Sequence, residues 1–167
     1  MVTLYNVVSA DWFITDKDGE EDFIPDTLWP TTLEVMRGYD AIVLSRGAYE
    51  ALREYPPELL SAFESLPIPK MVVSQLPEYQ VAPGYELVLN PEEVLPSEKS
   101  ILICSGEIFN NYLLSKGWVN AVLLHQLPVS LGEGKPVFDA KYRELLVLNS
   151  EKELREARQL RFSVRHT

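Results

Sequence analysis

The chain has 167 residues, one ordinary domain's worth and enough to bury a core. It is 46% hydrophobic and 24% charged, with 25 acidic against 15 basic residues and a formal net charge of -10. A surface that acidic repels nucleic-acid phosphate and anionic membrane, which argues against both as partners, and the lone cysteine, Cys104, excludes an intramolecular disulfide and a thiolate metal site.

Met1 leads directly into an apolar, β-branched run over 2–9 that reads as a strand. It shows no basic leader, and no apolar stretch nears the roughly 20 residues of a membrane span, so a cytoplasmic protein is expected. Residues 15–26 form a long polar loop within an acidic opening: residues 1–30 hold seven acids and only Lys17. Loops of that length in compact domains are usually functional or mobile. A helix is expected around 31–37, then an apolar strand at 41–45 that runs into a helix at 46–54. Pro56-Pro57 and Pro67-Ile-Pro69 bound a short helix near 58–65. Strands follow at 71–74 and 85–89, between Pro/Gly turns. The run 101–105 is another apolar strand, and 107–116 a helix closed by Gly117. Beyond it the helices vanish, leaving strand-like runs at 121–129, 144–149 and 159–166.

Short apolar strands alternating with helices imply a mostly parallel sheet covered on both faces, and the helix-free last third implies an antiparallel end. With no linker-like break and no repeat, residues 1–167 read as a single domain.

In such sheets ligands sit outside the carboxyl ends of the strands, where helix N-termini offer free N–H groups. Three strand ends carry suitable residues. Ile101-Leu-Ile-Cys-Ser-Gly-Glu107 brings a small-residue turn to a helix start, which suits an anion or simply a tight connection. Leu44-Ser-Arg-Gly-Ala-Tyr-Glu50 places Arg46 at a helix start, as a phosphate fork or as a solvated arginine. Val72-Val-Ser-Gln75 is the third. Asp11, Asp22 and Asp26 are the candidate acids: each has the chemistry to bind an N–H-rich heterocycle or relay a proton, or else to cap a helix. Asp16-Lys-Asp-Gly-Glu20 is not a calcium loop, because its glycine falls fourth and no glutamate follows at twelve. His125 lies inside an apolar run and Cys104 ends one; no spacing joins them, so a nucleophilic triad is unsupported.

Taken in order, Ser9-Ala-Asp-Trp-Phe-Ile14, Glu21-Asp-Phe, Ala41-Ile-Val-Leu-Ser-Arg-Gly-Ala-Tyr-Glu50, Val72-Val-Ser-Gln75, Ile103-Cys-Ser-Gly-Glu107 and Pro128-Val-Ser-Leu-Gly-Glu-Gly-Lys-Pro-Val-Phe138 resemble one family. It comprises the reductase domain of the bifunctional riboflavin-biosynthesis deaminase-reductase and its stand-alone relatives, often labelled dihydrofolate reductase. The likeness covers nearly the whole chain and is most specific at Leu131-Gly-Glu-Gly-Lys-Pro-Val-Phe138. It implies a three-layer α/β/α dihydrofolate-reductase-like fold. It also implies NADPH along the strand ends and hydride transfer to a pyrimidine- or pteridine-like ring, as in 5-amino-6-(5-phosphoribosylamino)uracil reductase.

By the same resemblance Ser45 and Arg46 meet the cofactor phosphates, and Ser74 and Gln75 lie by the adenosine ribose. Ser105, Gly106, Glu107 and Ile108 cradle the pyrophosphate, while Ala10 and Asp11 border the nicotinamide. Asp11 and Asp26 then stand as catalytic acids and Asp22 as a substrate contact, in a homodimer formed through the antiparallel end. The chain departs from the family at Trp12 and at Cys104-Ser105, where glycines are usual, so a reshaped first loop and a crowded phosphate turn are expected. Ser74-Gln75 supplies no base for a 2′-phosphate, which keeps NADH beside NADPH. The zinc-deaminase patterns H-x-E and P-C-x-x-C are missing. The alternative reading is a non-catalytic ligand-binding or dimeric scaffold that keeps the fold.

Overall fold

The computed structural model describes residues 1–166. In chain order its strands and α-helices are β1 (Val2–Val8), β2 (Phe13–Thr15), α1 (Trp29–Met36), β3 (Ala41–Ser45), α2 (Arg46–Arg53), α3 (Pro57–Glu64), β4 (Lys70–Val73), β5 (Tyr85–Val88), β6 (Ile101–Cys104), α4 (Glu107–Ser115), β7 (Ala121–Gln126), β8 (Lys135–Pro136), β9 (Leu146–Glu153) and β10 (Arg158–Val164). The main sheet has eight strands in the order β5-β4-β3-β6-β1-β7-β10-β9. The six from β5 to β7 run parallel, and β10 and β9 add on antiparallel. The expected mostly parallel α/β sheet with an antiparallel end is therefore what forms.

The inner strands β3 and β6 are apolar along almost their whole length because both faces are covered. Ile42, Leu44, Leu102, Leu123 and Tyr5 pack with Leu33 and Met36 of α1, Tyr49 and Leu52 of α2 and Phe63 of α3. Their neighbours Leu4, Val43, Ile103, Val122 and Leu124 face the other way, against Leu113 and Leu114 of α4. Alternation along each strand thus splits the core into two halves and makes three layers. No helix among the described residues is long and apolar enough to cross a membrane, and no cluster of metal-ligating side chains occurs among them.

The polar loop over 15–26 forms as expected, but sequence reasoning misses the strand that enters it: β2 pairs antiparallel with β8, and each is too short for periodicity to register. One expectation needs correction. The strand expected at 144–149 instead begins at Leu146 and continues to Glu153, with 3-10 turns over Ala140–Leu145. It is an exposed edge strand, so charged residues extend it where apolar alternation stops.

The β2–β8 ribbon matters for position, since it lays residues 131–138 on the first loop. Gly134, at φ +151°, lies so close that a Cβ there would sit 2.0 Å from the Thr15 carbonyl oxygen. Trp12 keeps the left-handed backbone of a glycine, with φ 67°, a conformation that costs an ordinary residue about 1–2 kcal/mol. Its ring packs edge-on against Phe138 and Phe162 with the Arg143 guanidinium over it at 4.5 Å, and that burial offsets the strain.

Candidate active site

Four adjacent strands end in serine. Reading across the sheet, Ser74 follows β4, Ser45 closes β3, Ser105 follows β6 and Ser9 follows β1. Three strand spacings separate the outer two, about 14 Å, a row long enough for an extended dinucleotide. Their hydroxyls are occupied within the chain. Ser45 accepts from the Ala48 N–H as the N-cap of α2, Ser74 accepts from the Leu76 N–H, and Ser9 accepts from the Phe13 N–H. Ser105 donates to Asn110 Oδ1 at 2.5 Å.

What the edge offers outward is backbone and cation. No side chain among the described residues caps α4, whose N-cap is Gly106. A Cβ at Gly106 would meet only Ile14 Cδ1, at 4.0 Å, so the turn is open to close approach by a ligand. Ser105 does not crowd it, because that side chain is 5% exposed and points inward. Glu107 is half-buried, and Ile108 stands beside the turn 85% exposed. Arg46 is exposed at the start of α2, its guanidinium 5.9 Å from the ring centre of Tyr79 and 3.8 Å from Glu50. Gln75 is exposed beyond β4. The residues present therefore fit a dinucleotide: an open small-residue turn, an uncapped helix start and a cation lie along one edge.

At the β1 end, Ala10 is exposed; its N–H donates to Val129 and its carbonyl accepts from Gln126. Asp11 is fully engaged. Its carboxylate accepts from the Ser9 hydroxyl at 2.5 Å, the Leu131 N–H at 3.1 Å and the Gly132 N–H at 2.8 Å. Desolvation raises its pKa, but these donors outweigh it and hold the group down to about 2. Asp11 therefore latches the first loop to residues 131–132. Beyond Ala10 a cleft of about 360 Å³ opens between Gln126, Leu127 and Pro128 and the β9–β10 turn, where Arg155 is exposed.

Asp22 and Asp26 remain in solvent, and neither makes a side-chain hydrogen bond or ion pair among the described residues. Asp26 opens a 3-10 turn and borders a groove of about 380 Å³ between α1 and α3, whose lining includes no strand-end residue. The acid that turns inward is Glu21. It accepts from the Tyr55 hydroxyl at 3.1 Å, and the Tyr55 ring packs edge-on against Trp29. Burial raises the Glu21 pKa against that hydrogen bond. Glu21 sits in the run Glu20-Glu21-Asp22, where no pattern tells which acid turns in.

Beneath α1 a buried chain of hydrogen bonds crosses the sheet. Tyr5 Oη lies 2.9 Å from Thr32 Oγ1 and 2.7 Å from His125 Nδ1, and His125 Nε2 lies 3.0 Å from Gln159 Oε1. The tautomer protonated at Nε2 satisfies all three, with Tyr5 donating to Nδ1. Burial lowers the His125 pKa, which keeps the ring neutral. Cys104, half-buried at the end of β6, is a packing residue, and burial pushes its thiol up to about 12.

No protein-family model and no curated protein matches this chain. Solved structures do. A protein described as a riboflavin biosynthesis protein from Shewanella sp. PV-4 is 18% identical, with TM-score 0.69 and 99% of each chain covered. The diaminohydroxyphosphoribosylaminopyrimidine deaminase/5-amino-6-(5-phosphoribosylamino)uracil reductase of Thermotoga maritima is 16% identical, with TM-score 0.73; the match covers 98% of this chain and 56% of that one. Dihydrofolate reductase from Enterococcus faecalis, complexed with NADP(H) and RAB-propyl, is 15% identical, with TM-score 0.70 and coverage of 100% and 97%. The chain has the dihydrofolate-reductase-like fold, as its ordered motifs led one to expect.

Proposed function

We propose that this chain is an NAD(P)H-dependent reductase of a pyrimidine- or pteridine-like heterocycle, of the 5-amino-6-(5-phosphoribosylamino)uracil reductase or dihydrofolate reductase-like type. The observation that carries the reading is the row of four strand ends, with an open turn at Gly106 in its middle and Arg46 toward its outer part. The backbone around Ser105, Gly106, Glu107 and Ile108 would hold the cofactor pyrophosphate. Ser74 and Gln75 would lie along its adenosine, and Ala10 beside its nicotinamide. The bound cofactor would supply hydride.

The base missing from Ser74-Gln75 comes from the neighbouring strand, since Arg46 leans over Tyr79 in the loop that follows them. This favours NADPH over NADH. Asp11 positions the loop beside the nicotinamide and does not deliver protons, because its carboxyl is held ionised. Glu21, with its raised pKa and its tyrosine partner, is the better-suited acid to face a heterocycle's N–H groups. The exposed edge of β9, with Val147 and Leu148 outward, is the surface for a homodimer, and the cytoplasm is the proposed compartment.

A tryptophan-fluorescence titration with NADPH and NADH tests the reading. NADPH should bind the tighter, and Arg46→Ala should weaken NADPH about tenfold, near 1.4 kcal/mol, while NADH changes little. No binding of either at millimolar concentration overturns the reductase reading and leaves the non-catalytic scaffold.

A further inference from the structure

A serine at an open strand-to-helix turn has two places to put its side chain: toward the ligand edge or into the protein. Ser105 takes the second, with its hydroxyl hydrogen-bonded to Asn110. That amide lies on α4 and is fully buried among the apolar residues of the α4 side. Its Oδ1 accepts from the Ser105 hydroxyl at 2.5 Å, and its Nδ2 donates to Asn6 Oδ1 at 3.1 Å and to the Val137 carbonyl at 2.9 Å. Asn6 Nδ2 closes the ring by donating to the Ser105 carbonyl at 2.8 Å. One amide therefore uses its acceptor and both donors to join the β6–α4 turn, β1 and the loop before Phe138. An aliphatic residue would fill this position without the cost of burying an amide. What the amide adds is orientation.

We propose that Asn110 is a positioning residue for the cofactor phosphates: acting through Ser105 and Asn6, it holds the serine inward so that the turn presents bare backbone at Gly106. The inference rests on the reductase reading of this edge. It explains how a turn reading Cys104-Ser105-Gly106 stays open where a side chain would otherwise project.

Calorimetry with ADP-ribose, which carries the pyrophosphate without the nicotinamide, reads the effect. Asn110→Ala should weaken ADP-ribose about tenfold, and adding Ser105→Gly should restore affinity to within about threefold, because no side chain is left to misplace. A merely structural asparagine would give no such rescue. Asn110→Ser, which leaves room for water to meet Asn6 and Val137, serves if the alanine variant does not fold. In ligand-free protein the Ser105 χ1 coupling should report one inward rotamer in the wild type and its loss in either variant. Unchanged affinity, an unrescued double variant or an unchanged rotamer each overturn the proposal. If wild-type protein binds no ADP-ribose, the reductase reading fails, and the Ser105 rotamer alone decides whether Asn110 orients the turn.

Discussion

Asp11 and Glu21 belong to the same acidic opening of the chain, one on each side of β2, yet the fold treats their carboxyl groups in opposite ways. Asp11 receives a hydroxyl and two backbone N–H groups from residues 9, 131 and 132, and its pKa falls to about 2. Glu21 receives one phenolic hydroxyl in a site from which water is largely withdrawn, and its pKa rises. The number of donors brought to each carboxylate, set against its desolvation, separates a loop latch from a group suited to hold a proton. Two acids of the same sequence character become different tools because the loop before β8 reaches one of them and the segment after α2 reaches the other.

The contrast breaks most severely at Gly134. Gly134→Ala drives a Cβ into the Thr15 carbonyl and should cost about 3 kcal/mol or more. Urea unfolding measures it, and faster amide exchange at Leu131 and Gly132 with the Glu21 side unchanged would show that the damage is confined to the latch. Unchanged stability would mean that the β2–β8 ribbon does not hold the loop. Asp11→Asn removes the charge from three hydrogen bonds and should cost about 1–2 kcal/mol; a loss within error would deny the latch. Glu21→Gln keeps an acceptor for Tyr55 while removing a buried charge, so at pH 7 stability should hold or rise by less than about 1 kcal/mol. A clear loss there would show that Glu21 is stabilised as the carboxylate.

The smallest effect sharpens the comparison by its sign. Asp11 has a depressed pKa, so its stabilisation is present above the unfolded value near 4 and is lost as pH falls through about 2. Glu21 has a raised pKa, so its contribution is full below the unfolded value near 4.3 and is lost as pH rises through the folded one. Across a pH series Asp11→Asn should flatten the acid limb, and Glu21→Gln should flatten a decline that begins above it. If both variants change the same limb in the same direction, the two acids are not opposed.

Much of this arrangement was legible in the residues. The continuous apolar runs at Ala41–Ser45 and Ile101–Cys104 declare strands buried on both faces, and the small polar residues after them mark the ligand edge. Ser45, Arg46, Ser74, Gln75, Ser105 and Gly106 were all visible as candidates for that reason. Asp22 and Asp26 were visible too, but a carboxylate in an acidic loop carries no sign of which way it points, and here both point to water while Glu21 turns in. Asn6 and Asn110, more than a hundred positions apart, gave no local signal of their pairing.

What the sequence determined alone is the layered sheet and the polar residues that close its strands, because periodicity and strand length are local properties. Only the tertiary structure decided the inward turn of Ser105 and the left-handed Trp12 packed on Phe138 and Phe162. It also decided the opposed fates of Asp11 and Glu21. Each of these depends on groups distant in the chain meeting at hydrogen-bond or packing range, and such energies exist only once the strands are side by side.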